Sequence, residues 1–148
     1  MTNLVKEQPD HAKRMADFAV EAVEAANHTL VDQNNPDLGH VDIRLGIHSG
    51  PCVSNVVGSR SPRFCLFGDT VNTAGTIERL SFPNRIHCSE RSAKLMTRQS
   101  SKHKLLCRGL VSLQGKGEMT TYWVNDDSLS APKEEPQDLV KLYSEFEW

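Results

Sequence analysis

The pattern that most invites a chemical reading is Gly115-Lys116-Gly117, a lysine between two glycines. An ammonium on so pliable a backbone could meet a phosphate, but a P-loop requires four residues between its glycines and Ser or Thr after the lysine. Here five residues separate Gly109 from Gly115, and Gly117 follows Lys116, so that loop is excluded. Taken alone, the triplet reads as a hairpin turn with a solvated lysine. Cys52, Cys65, Cys88 and Cys107 form no C-x-x-C pair and give no zinc signature. The six histidines form no H-E-x-x-H pattern, which leaves them surface or packing roles. Asn27-His28-Thr29 fits the glycosylation triplet but falls inside a predicted helix, where coincidence is the better reading. With no G-x-G-x-x-G run, Gly46, Gly50, Gly58 and Gly68 read as turn glycines.

The elements that must position these residues follow from periodicity. Asp10 suits the N-cap of a helix from His11 to Leu30, with Ala12, Met15, Ala19, Ala22, Val23, Ala26 and Leu30 on one face. Asn34-Asn35-Pro36-Asp37 breaks the chain, and the alternation of Val41 to His48 predicts a strand. Further strands are expected at Cys52–Val57, Phe64–Phe67, Ile86–Cys88, Leu105–Leu113 and Thr121–Val124. A helix is expected over Thr70–Leu80, and a second, capped by Ser89, through Met96. From Asp126 onward Pro, Glu and Ser rise, which predicts a polar tail over 126–148; Leu139, Leu142, Tyr143 and Phe146 have the spacing of a short docking helix.

The bulk numbers set outer limits. A chain of 148 residues makes one ordinary domain. Seventeen Lys+Arg against nineteen Asp+Glu, a net charge of −2, give no support for broad nucleic-acid binding but leave room for a small basic pocket. No apolar run reaches the 18 residues of a membrane span, and Met1 to Asp10 lack the apolar core of a signal peptide. The expectation is a reduced domain on the cytoplasmic side, without a disulfide framework. Composition and alternation alone leave the class as α/β or α+β.

Separately, none of these motifs states a function; their order does. The chain carries Ile43-Arg44-Leu45-Gly46-Ile47-His48-Ser49-Gly50-Pro51, then Val56-Val57-Gly58, then Pro62-Arg63-Phe64-Cys65-Leu66-Phe67-Gly68-Asp69-Thr70-Val71-Asn72-Thr73-Ala74. Arg85-Ile86-His87-Cys88-Ser89 and Gly115-Lys116-Gly117-Glu118 follow. This ordered run resembles the class III adenylyl/guanylyl cyclase catalytic domain over roughly Asp10 to Asn125, and is most similar to guanylyl cyclases. The resemblance implies an α+β, ferredoxin-like nucleotide cyclase fold over 1–125, a mixed sheet packed by helices with its N-terminal part missing. It also implies conversion of GTP, or less readily ATP, to the 3′,5′-cyclic monophosphate and pyrophosphate by a homo- or heterodimer with a second cyclase domain.

Residue by residue, the resemblance implies that Cys65 reads the purine. Typical adenylyl cyclases place Asp there, which accepts from adenine's exocyclic amine; a carboxylate would repel guanine's carbonyl, to which a thiol can donate weakly. Arg63 could approach the same edge. A buried strand cysteine is the plainer alternative for Cys65. Asn72 matches an asparagine that orients the ribose and reacting phosphate, and could equally cap the helix start. Lys116 matches a lysine that contacts the β- and γ-phosphates as a point charge, which reverses its reading in isolation. Thr76 stands where the family has an arginine; such a loss commonly costs on the order of 10²–10³ in rate. Arg79 lies one turn further along the predicted helix and could substitute for that arginine, although nothing else in the sequence supports it. The Mg²⁺ or Mn²⁺ that the family uses has no ligands in this chain, where Glu7 and Asp10 are the only carboxylates before the first helix and lack a matching context. Two readings therefore stand: a guanylyl-type cyclase domain inactive by itself, and a degenerate half serving as a dimerisation and regulatory module. Family members are often tethered to membrane receptors, but no residue here shows it.

Overall fold

The computed structural model describes residues 1–3, 6–113 and 115–125. Along the chain run α1 (His11–Asn27), a single 3₁₀ turn (Pro36–Leu38), β1 (Leu45–Ile47), β2 (Val53–Val57), β3 (Arg63–Phe67) and α2 (Asp69–Arg79). They are followed by β4 (Ile86–Ser89), α3 (Glu90–Gln99), β5 (Leu105–Leu113) and β6 (Gly117–Val124). Four strands form a mixed sheet in the order β1-β4-β6-β5, with β1 parallel to β4 and the other pairs antiparallel. Strands β2 and β3 form a separate antiparallel ribbon. The α+β architecture, a mixed sheet packed by helices, is the one the sequence implies. The expected tail over 126–148 and its possible helix lie outside the described residues.

Alternation along the strands divides the sheet into two faces. Ile86 and Cys88 of β4 and Val124 of β6 face α1 and α3, where Ala12, Ala16, Ala19, Ala93 and Met96 complete a buried core. Three alanines at helical spacing let α1 lie close. On the other face the His87 and Trp123 rings meet tilted at 4.8 Å, Phe82 stacks on Trp123, and the His87 ring bonds the Ile77 carbonyl of α2 at 2.8 Å. Since a carbonyl only accepts, His87 Nδ1 carries the proton. Burial pushes the His87 pKa down to about 4; the Ile77 bond opposes that shift and Arg108 adds to it.

Several boundaries differ from the sequence expectation, for local reasons. The predicted N-cap, Asp10, makes no side-chain capping bond; its carboxylate takes Arg14 at 2.8 Å. The free N–H groups of Ala12 and Lys13 are instead bonded by Gln99 Oε1, from the end of α3, at 2.8 and 3.0 Å. Helix α1 stops at Asn27 rather than Leu30, because His28 and Thr29 turn their side chains onto the carbonyls of Glu24 and Ala25. Leu30 then bridges to His40. Strand β1 is three residues rather than eight: Ile43 is bonded through both N–H and C=O to Asn84, in the loop before β4, so the ladder starts only at Leu45. Ser89 caps α3 as expected, its hydroxyl accepting from Ser92 N. Helix α1 is also tied to the segment before β5 by Asp17, which accepts from Lys13, Lys102 and the buried His103. Lys13 foremost, then Lys102, holds the Asp17 carboxyl well below the usual carboxylate range. Among the described residues, no helix is long and apolar enough to cross a membrane.

Candidate active site

The site is built around α2. Strand β3 ends at Phe67 and the chain swings through Gly68, at φ +130, directly into the helix. Such a φ favours glycine, and it lets a strand become a helix without a loop. The helix is then clamped on β1 at Gly46, where an added Cβ would lie 2.3 Å from Glu78 N and 2.6 Å from Ala74 O. Thr73 and Ile77 are the buried positions of α2. Asn72, Thr76 and Arg79 fall within about 60° of arc on the opposite, open side, given 100° per residue.

Lys116 comes to this helix from the β5–β6 hairpin. Gly115 and Gly117, both at φ +76, fold the turn back, and Lys116 N bonds Leu113 O at 2.9 Å. The Lys116 ammonium lies on Thr73 Oγ1 and the Asp69 carboxylate, on the first turns of α2. The side chain is 29% exposed, so the expected hairpin is present but the lysine is not simply solvated. Its field reaches His48, whose pKa is lowered by burial first, then by Lys116 and Arg91, against a smaller opposing effect of Asp69. His48 Nδ1 meets Ser89 Oγ at 2.8 Å, beyond the end of β1. Lys116, Arg91 and the partial positive charge at the start of α2 make this corner suited to a polyanion.

Asn72 lies inside α2 rather than at its start. The helix opens at Asp69 with Gly68 as its N-cap, so the capping alternative for Asn72 falls away. Its side chain is exposed and makes no hydrogen bond among the described residues. One turn on, Thr76 Oγ1 donates to Asn72 O at 3.0 Å and accepts from Arg79 Nη2 at 3.0 Å. Arg63 and Cys65 share one face of β3, two residues apart, opposite Val57 and Asn55 of β2. Cys65 is half-buried and Arg63 exposed, so Cys65 is not the fully buried strand cysteine of the plainer alternative. The structure thus gathers Asn72, Thr76 and Lys116 around one helix. Arg63 and Cys65 stand on the ribbon that feeds it. Asp69 and Thr73, the partners of Lys116, receive no role from the sequence; they stand in the motif run and have an i, i+4 spacing at a helix start. No group of three or more His, Cys, Asp or Glu side chains among the described residues could hold a metal ion, so these residues do not form a metal site by themselves.

Comparison with known proteins identifies the family. The family model described as the adenylate and guanylate cyclase catalytic domain matches residues 1–126. Retinal guanylyl cyclase 1 of Rattus norvegicus is 38% identical over 130 residues, covering 87% of this chain and 12% of that protein. The guanylate cyclase domain of RhGC from Catenaria anguillulae, solved in complex with GTP, superposes with a TM-score of 0.74 at 34% identity, over 83% of this chain and 64% of that one. A non-canonical dimeric guanylyl cyclase domain of the RhoGC fusion protein from Blastocladiella emersonii superposes with a TM-score of 0.70 at 32% identity, over 83% of this chain and 63% of that one. The chain therefore spans about an eighth of the retinal relative and under two thirds of the solved domains. With the motif order, the α+β fold and these matches in agreement, the chain belongs to the adenylate and guanylate cyclase catalytic domain family.

Proposed function

We propose that this chain supplies the purine-reading and triphosphate-holding part of a guanylyl cyclase, a phosphorus–oxygen lyase that makes cyclic GMP from GTP. In that reaction the ribose 3′-oxygen bonds to the α-phosphorus, the bond from that phosphorus to the β-bridging oxygen breaks, and pyrophosphate leaves. The 3′-hydroxyl proton passes to pyrophosphate or solvent. The observation that carries the reading is the seat of Lys116 on the opening turns of α2, one turn from Asn72. There the ammonium would hold the β- and γ-phosphates while the Asn72 amide orients the ribose. Cys65 and Arg63 would meet the guanine edge. The relative solved with GTP supports the choice of nucleotide.

The exposed ribbon supports a dimer. Val53, Val56, Phe64 and Phe67 are 50–66% exposed, in cross-strand pairs on β2 and β3. The two pairs lie on opposite faces of the ribbon, and large apolar side chains left exposed on both faces suit burial against a partner, for which a second cyclase domain fits. Mg²⁺ or Mn²⁺ would require carboxylates beyond those described here, so no step is derived through a metal.

The test is to assemble this chain with a cyclase segment or domain that brings metal-binding carboxylates, add GTP with Mn²⁺ or Mg²⁺, and measure cyclic GMP. Production of cyclic GMP is expected, and none under any of these conditions would refute the enzymatic reading. Cys65→Asp should move the preference from GTP toward ATP by at least about tenfold, as expected for gain or loss of one hydrogen bond at a buried edge. An unchanged ratio would remove Cys65 from purine reading. Thr76 motivates a second reading, a non-catalytic half that dimerises and regulates. On that reading Thr76→Arg should raise turnover strongly in the same assembly.

A further inference from the structure

The open face of α2 carries a hydrogen-bonded ladder with a guanidinium at its end. Arg79 Nη2 donates to Thr76 Oγ1 at 3.0 Å, and Thr76 Oγ1 donates to Asn72 O at 3.0 Å. Helical side chains lean toward the N-terminus, so Arg79 reaches back over the preceding turn rather than away from it. Its guanidinium therefore sits at position 76, not at the height of its own Cα. It has no carboxylate partner among the described residues, whereas Arg44, the arginine facing Glu78 on this helix, is paired at 3.2 Å. A guanidinium has five donors, and one of them is used here.

We propose that Arg79 is the charge-stabilising residue of this site, with Thr76 as the post that holds it. This rests on the cyclase reading given above. The threonine hydroxyl fixes one edge of the guanidinium, and the remaining N–H groups would be free to meet phosphoryl oxygens bound along the open face of α2, which also carries Asn72. The negative charge that builds on the α-phosphoryl and bridging oxygens as pyrophosphate leaves is the charge Arg79 would stabilise. Thr76 is then a positioning residue, and its replacement of a charged side chain is compensated one turn away.

The experiment compares Arg79→Ala, Thr76→Val, and Thr76→Arg combined with Arg79→Ala, in the assembly that makes cyclic GMP. Arg79→Ala should lower kcat on the order of 10²–10³ with KM for GTP changed by less than about threefold, because the interaction strengthens only in the transition state. Thr76→Val should lower kcat about tenfold with the melting temperature nearly unchanged, since the charge remains but loses its post. The combined variant should recover kcat to within about tenfold of the unsubstituted assembly, the guanidinium having been moved back one turn. A merely structural role for Arg79 predicts no recovery. Wild-type kcat in Arg79→Ala overturns this inference and leaves the cyclase reading standing. An unsubstituted assembly that makes no cyclic GMP overturns both.

Discussion

Gly46 is the residue on which the position of the whole site turns. It lies in the middle of β1, where α2 crosses the strand, and a Cβ there would stand 2.3 Å from Glu78 N, 2.6 Å from Ala74 O and 2.6 Å from Glu78 Cα. All three are backbone atoms of the helix, so no side chain can rotate aside. Gly46→Ala therefore forces α2 off the sheet, by about 1 Å if the nearest contact is to return to van der Waals distance. Overpacking of this kind costs about 1–3 kcal/mol. At about 4 °C per kcal/mol for a domain of this size, the melting temperature should fall by roughly 4–12 °C. Asn72, Thr76 and Arg79 ride on α2 whereas Lys116 rides on the β5–β6 hairpin, so the shift also alters the spacing between them. A misplacement of about 1 Å at reacting groups can cost about 10²-fold in turnover.

The control lies on the same helix. Gly75 has nothing within 4 Å of its added Cβ and an ordinary helical φ. Gly75→Ala should thus raise stability by about 0.5–1 kcal/mol, the usual gain for replacing glycine inside a helix. Opposite signs at two glycines 29 residues apart in sequence, on either side of one helix–strand contact, would be hard to obtain from any cause other than that contact. Thermal unfolding followed by circular dichroism reads both variants. If Gly46→Ala melts with the unsubstituted chain, or Gly75→Ala loses as much as Gly46→Ala, the reasoning about how α2 is held is wrong.

Two more expectations concern charge. On the proposed reading Asp69 would compete with a polyphosphate for Lys116, so Asp69→Asn should tighten GTP binding by up to about fivefold, the modest value of an exposed ion pair, whereas Lys116→Ala should weaken it by at least about tenfold, as for loss of a charge-assisted bond; calorimetric titration would expose the error if both moved the same way. His87 makes the fold acid-sensitive: its pKa falls from 6.5 when unfolded to about 4 when folded, so between those values the unfolded chain binds more protons. Stability present above pH 6.5 is then lost as pH falls toward 4, by up to roughly 3 kcal/mol. Urea midpoints across that range should drop in the native chain and drop less in His87→Gln, and parallel slopes would dismiss His87 as the cause.

What could be read from the sequence was whatever repeats over a few residues. The alanine stripe of α1 and the Ser89 cap express local periodicity, the run from Arg63 to Ala74 was legible through its resemblance to the family, and the structure places each element within a few residues of its expected span. What could not be read depends on residues far apart. Gln99 caps α1 from 87 positions away, which no N-cap rule at Asp10 could reveal. Asn84, at φ +58, takes both backbone groups of Ile43, and so removes the first half of a strand whose alternation was unambiguous. Lys116 is the sharper case. Its flanking glycines correctly indicate a turn, but its meaning comes from Thr73, 43 residues earlier, and from Asp69 beside it. A pattern of residue types fixes which chemistry is possible; only the fold decides which groups share it.

The two cationic contacts on α2 share a design. Lys116 is held by an aspartate that is 74% exposed, and Arg79 by a hydroxyl that is itself bonded to the backbone. Either holder orients its cation without burying it, so neither cation carries the large desolvation penalty of an ion pair in the core. Replacing Asp69 by a phosphate exchanges one solvated anion for another, a step that needs little rearrangement of the protein. Thr76 need not be displaced, because Arg79 retains free donors while bonded to it. On the proposed reading, one contact is a placeholder that the ligand would exchange, and the other is a mount that the ligand would leave in place. That difference is why substitution of Asp69 should register in binding, whereas substitution of Thr76 should register in turnover.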